Sequence, residues 1–260
     1  MTLPEIIVII IVGIFVGFIN TLSGGGSVIS LTLLIILGLP ANIANGTNRI
    51  SIFFQTLSSV GSFTRQKMFN TLKPVWLGIP ATLGSVLGAV LAVDVNEKAI
   101  EIAMAVSMVI MLFFVFYKPD KWLKEKSSLL SKPLKWWQFL IFFLIGFYGG
   151  FIQVGVGYFL MMALVLGIGY DLVKANAVKN LIVFFYAIFA LLVFIIDGKI
   201  NYLVGLILSV GSIIGALIAS YLAVKKGAGL IRLVIVLSVI LTLLQITGLV
   251  DFSVLLRKIL

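Results

Sequence analysis

"NTLSGGGSVISLTLLIILGLPANIANGTNR", from Asn20 to Arg49, decides how this chain is read. A hydrophobic segment stops at Gly24, Gly25 and Gly26, resumes for about a dozen residues, then ends in Asn, Thr and Arg. A helix that only anchors a chain has no use for such an interruption. Non-helical backbone at membrane depth is tolerated only where protein buries it or where it lines a cavity. The break therefore predicts a site inside a helical membrane protein.

Composition agrees. The 260 residues are 62% hydrophobic and 11% charged, with a mean hydropathy of +1.25. Soluble domains sit near half apolar and about a quarter charged, so the expected class is an all-α, polytopic integral membrane protein in contact with the lipid bilayer. The net charge of +10 would suggest nucleic acid in a soluble protein. Here the positive-inside rule accounts for it, and no nucleic-acid partner is expected. The chain has neither Cys nor His, which excludes thiol nucleophiles, imidazole bases and the usual zinc sites. No metal and no cofactor is expected. "MTLPEIIVII" lacks the positive n-region of a secretory signal and reads as a first, retained helix.

Apolar runs separated by charge or glycine give ten segments, roughly 4–22, 27–39, 43–63, 74–93, 99–117, 136–154, 157–169, 173–196, 202–224 and 229–250. Spanning about 30 Å of hydrocarbon takes about 20 helical residues. The second and seventh segments are too short and reach about midway. They occupy matching places, which points to a duplication. "GIFVGFINTLSGGG" aligns with "GFYGGFIQVGVGYF", placing Gly13, Gly17, Gly24 and Asn20 on Gly146, Gly150, Gly157 and Gln153. Later, "ANGTNR" aligns with "ANAVKN" and "GSVLGA" with "GSIIGA". The organisation read from this is a first transmembrane repeat over 1–117, a basic linker over 118–135 and a second repeat over 136–260, each repeat holding one Gly-broken short helix.

Lysines and arginines orient the loops. With an even number of crossings in each broken pair, twelve cations lie on one side: those of loops 65–73 and 118–135, with Lys174, Lys225 and Lys226. Only Lys98, Lys199, Arg257 and Lys258 lie on the other. Loops 65–73 and 118–135 are thus expected in the cytoplasm, with the chain in the cell (cytoplasmic) membrane. One crossing per broken pair gives the same tally, so charge does not choose between inverted and parallel repeats. The half-length segment after a glycine break suits a hairpin that enters and returns, which favours inverted repeats.

Candidate binding residues cluster at the breaks. Glycine lets backbone approach closely and bares its N–H groups. The helix restarting at Ser27 aims its positive end at Gly24, Gly25 and Gly26, a ready anion site, with Asn20, Ser23 and Ser27 alongside. In the second half Gln153, Gly155 and Gly157 hold the corresponding place. Thr47, Asn48 and Arg49 open the third segment; Asn176, Lys179 and Asn180 open the eighth. Cations inside membrane segments usually face a cavity or a partner, and no carboxylate lies near Arg49 or Lys179 in sequence, so a small anion is the expected partner. The alternative for each is snorkelling to headgroups. The pairs Gly13/Gly17, Gly84/Gly88, Gly146/Gly150 and Gly211/Gly215 read as helix packing. Every carboxylate falls at a segment end or in a loop, so the usual intramembrane proton relay is missing.

The order of elements resembles the sulfite exporter TauE/SafE family, whose signature is glycines before a short apolar helix, then Gly-x-x-Pro and an Ala-x-x-Thr-Ser element. Gly24, Gly25, Gly26, Gly38, Pro40, Ala44, Thr47 and Asn48 carry it, with Asn48 in place of the usual Ser. The second copy keeps Lys179, with Val178 before it and Gly169 where the first half has Pro40. The resemblance implies a secondary transporter that exports small sulfur-containing or organic anions, of the sulfite and organosulfonate class. A passive anion channel is the alternative. An intramembrane enzyme built on Tyr170-Asp171 and Asp197 is a weaker one, because Asp197 lacks a Gly-x-Gly-Asp context. The chain is read as no enzyme, and a homo-oligomer is compatible with it.

Overall fold

A computed structural model describes residues 1–69, 71–93, 98 and 127–246. Ten helices run α1 (Leu3–Leu22), α2 (Ser27–Ile36), α3 (Ala41–Arg65), α4 (Lys73–Val93), α5 (Ser127–Leu130), α6 (Trp136–Phe151), α7 (Val156–Met162), α8 (Leu172–Ile196), α9 (Tyr202–Lys226) and α10 (Ala228–Ile246) among the described residues. After Met162, α7 widens into a π-turn, Ala163–Ile168. The expected all-helical membrane architecture is what is found. The expected segment 99–117, residues 118–126 of the linker and the tail from 247 lie outside the described residues.

Local chemistry explains the boundaries. Thr2 and Glu5 form a reciprocal cap at the start of α1, with Thr2 N–H donating to Glu5 Oε2 at 2.8 Å and Glu5 N–H to Thr2 Oγ1 at 3.4 Å. Asp171 Oδ1 accepts from the N–H groups of Val173 and Lys174, both at 2.9 Å, at the start of α8. By length and composition α1, α4, α8 and α9 can each cross a bilayer. Helix α3 is as long as α8, 25 residues, but polar along its first half. It is sheltered by its neighbours: Asn45, Thr47, Asn48, Arg49 and Ser51 are all fully buried.

The halves interlock rather than sit side by side. Helix α1 packs along α9 and α6 along α4, so the first long helix of each half lies on the other half's helix that carries the Gly-Ser-x-x-Gly-Ala stretch. Both seams are glycine seams. Gly211 sits against Ile10 and Ile14 and Gly215 against Ile14 and Phe18, while Gly84 sits against Phe143 and Phe147 and Gly88 against Phe147 and Phe151. A methyl group on any of these glycines would overlap the opposing backbone.

Those contacts also fix directions. In both seams residue numbers rise together, so α1 runs parallel to α9, and α4 to α6. Helix α3 runs with α9 as well, since Thr47 meets Asn201, Ser51 meets Ser212 and Gln66 meets Ser220. Helices α3 and α8 run oppositely, with Gly46 near Phe194 and Phe53 stacked on Phe184. After α1, the short α2 turns back, so Leu37 and Leu39 share a cavity with Met1 and Glu5. After α6, α7 turns back likewise, and Gln138 Nε2 on α6 donates to the Gly167 carbonyl at 2.9 Å. Two hairpins thus reach inward from opposite ends of the bundle.

The seams are testable. Gly150→Ala drives a methyl into the Ser85 backbone and is expected to cost about 1–3 kcal/mol, read as a lower thermal unfolding midpoint in detergent. Gly61→Ala, inside α3 with nothing within 4 Å of its added methyl, is expected to be neutral or to stabilise by up to about 1 kcal/mol.

Candidate functional site

The tips of the two hairpins meet. Gly24 takes φ +90°, and its Cα lies against the Cα of Gly157 so closely that neither position has room for a side chain. On the other tip, Gly155 takes φ +71° and Gln153 takes φ +63°. Gln153 is a non-glycine residue held in the left-handed region, a strain that persists only when its surroundings enforce it. They do: Gln153 Nε2 donates to Tyr186 Oη at 2.9 Å and Gln153 Oε1 accepts from Arg49 Nη1 at 3.2 Å.

Breaking a helix at membrane depth leaves its last four carbonyls without intrahelical partners and concentrates negative dipole there. At the end of α6, Tyr148 O accepts from Ile152 N–H at 3.0 Å. Gly149 O and Gly150 O accept from Arg49 Nη1 and Nη2 at 2.6 and 2.5 Å. Phe151 O accepts from Asn45 Nδ2 at 2.9 Å. At the end of α1, Ile19 O accepts from Ser23 N–H at 2.7 Å. Asn20 O and Thr21 O accept from Lys179 Nζ at 2.9 and 2.8 Å, and Thr21 O also accepts from Asn180 Nδ2 at 3.1 Å.

The capping is reciprocal. Arg49 belongs to the first half and closes the broken helix of the second; Lys179 belongs to the second and closes that of the first. Arg49 and Asn180, which align between the two similar stretches of sequence, make a corresponding local bond. Arg49 Nη2 donates to Asn45 Oδ1 at 3.4 Å, four residues back, and Asn180 Nδ2 to Asn176 Oδ1 at 3.3 Å. Among the described residues no carboxylate bonds to either cation, so helix carbonyls balance both charges. The Phe194 ring, 5.3 Å from Arg49 Cζ, adds a cation–π contact.

A cavity of about 20 Å³ lies at the meeting point, lined by Asn20, Gly24, Ile52, Gln55, Thr56, Gln153, Gly157, Lys179, Asn180 and Val183. It holds about one water molecule. Of the residues singled out from sequence, Asn20, Gly24, Gln153, Gly157, Lys179 and Asn180 therefore share one wall. The remaining ones support it. Asn20 Oδ1 accepts from Ser27 N–H at 3.1 Å, so that donor at the start of α2 is taken within the protein. Asn48 Oδ1 accepts from Ser30 Oγ at 2.7 Å, and Thr47 Oγ1 accepts from Asn201 N–H at 2.9 Å, away from the cavity. Ser23, beside Gly25 and Gly26, joins Tyr158 and Ser238 in a buried hydroxyl cluster, with Ser238 Oγ to Ser23 Oγ at 3.2 Å. Gly155 caps α7, and Arg49 and Asn176 lie behind the wall.

Ile52 and Val183 were outside the candidate residues, and Gln55 and Thr56 read from sequence only as groups that could line a polar path or bond across helices. The signal was helical spacing: Asn48, Ile52 and Gln55 fall on one face of α3, as Lys179 and Val183 do on α8. Tyr158, Tyr186 and Ser238 carried none, being hydroxyls in apolar runs.

With this geometry in view, comparison with known proteins is decisive for kinship. Residues 9–246 match the family described as Sulfite exporter TauE/SafE. The chain belongs to the sulfite exporter TauE/SafE family. It is 29% identical over 233 residues to a "Probable membrane transporter protein" of Haemophilus influenzae, covering 89% of this chain and 90% of that one. It is also 29% identical over 233 residues to the "Probable membrane transporter protein YfcA" of Escherichia coli K12, covering 88% and 85%. The "Probable membrane transporter protein YjnA" of Bacillus subtilis is 28% identical over 246 residues, with 83% and 89% covered. No solved structure matches. This TauE/SafE member is accordingly a multi-pass membrane protein of a transporter family.

Removing a cap should be costly. Arg49→Ala strips the Gly149 and Gly150 carbonyls of their donors and is expected to destabilise the protein by about 1–3 kcal/mol for each carbonyl left unsatisfied. Arg49→Lys, which keeps the charge but loses the two-pronged geometry, should fall between the alanine variant and the parent in thermal midpoint.

Proposed function

We propose that this chain is a secondary transporter that carries small anions of the sulfite and organosulfonate class out of the cell through the meeting point of its two hairpins. The observation that supports this best is the cavity wall. It combines one cation, Lys179, with the amides of Asn20, Gln55, Gln153 and Asn180 and two bare glycine backbones, and it contains no carboxylate. Such a wall suits an oxyanion. Lys179 is the cation assigned to the ligand, and Arg49 is a positioning residue that holds the second break from behind.

Capping supplies the coupling. An anion that reaches Lys179 competes with the Asn20 and Thr21 carbonyls for the ammonium protons. Winning that competition loosens the end of α1, which belongs to the other half, so ligand binding acts on the contact between halves. Reading the oppositely directed hairpins as an inverted duplication, over 1–117 and 136–260, makes alternating access a rocking of one half against the other. On that reading, loops 65–73 and 118–135 lie in the cytoplasm of a cell-membrane protein, as their lysines and arginines lead one to expect, and the N-terminus lies outside. Anion export needs no carboxylate relay, since leaving a negative interior is downhill by about 2.3 kcal/mol per charge per 100 mV.

Two alternatives are distinguishable. Saturable flux with counterflow, rather than the size of this centre, separates a carrier from a passive channel. An aspartyl enzyme needs a carboxylate pair, but Asp171 caps the start of α8 and Asp197 its end, about 39 Å apart at 1.5 Å per residue.

The test is flux in proteoliposomes with sulfite, thiosulfate and sulfoacetate. Saturable uptake with counterflow of at least one is expected, and Lys179→Gln should lower it by at least about tenfold, the effect of losing about 1.4 kcal/mol of anion binding. An absence of flux for every small anion would contradict the reading.

A further inference from the structure

Arg49, Lys179 and Arg232 each sit within or at the edge of an apolar run, and the centre of the bundle occupies the first two. Arg232 does something else. It stands in the second turn of α10 and is exposed, on the outward stripe that continues through Leu233, Val236 and Leu237. Helix α9 brings a second cation to the same region. Its outward stripe runs through Leu217, Ile218 and Tyr221 and ends at Lys225. The Lys225 ammonium lies over the Tyr221 ring, 5.4 Å from its centroid. The two helices are consecutive and turn at Gly227, which takes φ +70°. Helix α9 runs out to this end of the bundle, and α10 runs back in until Ser238 Oγ meets Ser23 Oγ beside the first glycine break, at 3.2 Å.

Position along the helix decides what these cations can meet. Arg232 lies four residues, about 6 Å, inward from the first residue of α10, on a face that is otherwise apolar. A charge facing outward there is costly in hydrocarbon, so its guanidinium must reach back to the headgroup layer. Guanidinium is also the cation whose planar fork matches a phosphate with two parallel hydrogen bonds. Lys225 caps the neighbouring stripe, and Tyr221 beneath it has the apolar body and polar tip that collect at membrane interfaces. Among the described residues no carboxylate pairs with Lys225 or Arg232. Two antiparallel apolar stripes, each topped by a cation, together present the shape and charge of a phospholipid's complement.

We propose that Lys225 and Arg232 form a binding site for one anionic phospholipid, with its phosphate between the two side chains and its acyl chains along the outward stripes of α9 and α10. The site depends on the chain's place in a bilayer and not on the transport reading. In purified, full-length protein in detergent, native mass spectrometry compares bound phosphatidylglycerol with bound phosphatidylcholine of the same acyl chains. Phosphatidylglycerol is expected to be favoured. Each of Lys225→Gln and Arg232→Gln should lower that preference by about fivefold, the effect of one cation beside an anionic headgroup. Lys135→Gln removes another exposed cation, at the start of α6 on the same end of the bundle, and should leave the preference unchanged. Glycerol 1-phosphate, a headgroup without chains, should not displace the lipid at equal concentration. No preference for the anionic lipid, a preference untouched by both substitutions, or an equal loss in Lys135→Gln overturns the site. Displacement by glycerol 1-phosphate overturns a lipid as its occupant.

Discussion

Everything in this structure depends on how two helices can end in the middle of a membrane. A free helix end in hydrocarbon leaves carbonyls that no water can satisfy, at several kcal/mol each. Lys179 closes α1 and Arg49 closes α6, each from the opposite half. The cations need the carbonyls as much as the reverse, because a buried charge without a partner is costlier still. Neither half completes its own broken helix. The interlocked packing of α1 on α9 and α6 on α4 brings the donors within reach, and the glycine seams permit that packing.

This arrangement reconciles stability with transport. A cation fixed in a carboxylate pair would hold its proton donors tightly, and an incoming anion would compete poorly. On the proposed reading, Lys179 stays at the cavity wall and is satisfied by the neutral Asn20 and Thr21 carbonyls until an anion competes for it. Arg49, with four bonds and no place in that wall, is suited to holding rather than binding.

Much of this was legible in the sequence. The glycine breaks, the half-length segments and the small-residue seams are local patterns, and hydrocarbon thickness and backbone satisfaction give them meaning. Burial of Arg49 and Lys179 followed from their place inside apolar segments. What they touch did not. Every residue has a carbonyl, so a contact from Arg49 to the backbone of Gly149 and Gly150, a hundred residues on, leaves no mark in the sequence. The absence of a nearby carboxylate suggested a ligand for both cations, whereas the helix ends already occupy them. The same holds for Asn20, expected beside open N–H donors and found capping Ser27.

The central claim is that Lys179 exchanges a helix end for an anion. A structure determined with bound sulfite or sulfoacetate tests it most directly. The account predicts an oxyanion within hydrogen-bonding distance of Lys179 Nζ, in the cavity beside Gly24 and Gly157, with the Asn20 and Thr21 carbonyls released and the Arg49 cap intact. An anion bound elsewhere, with Lys179 still on both carbonyls, would contradict it.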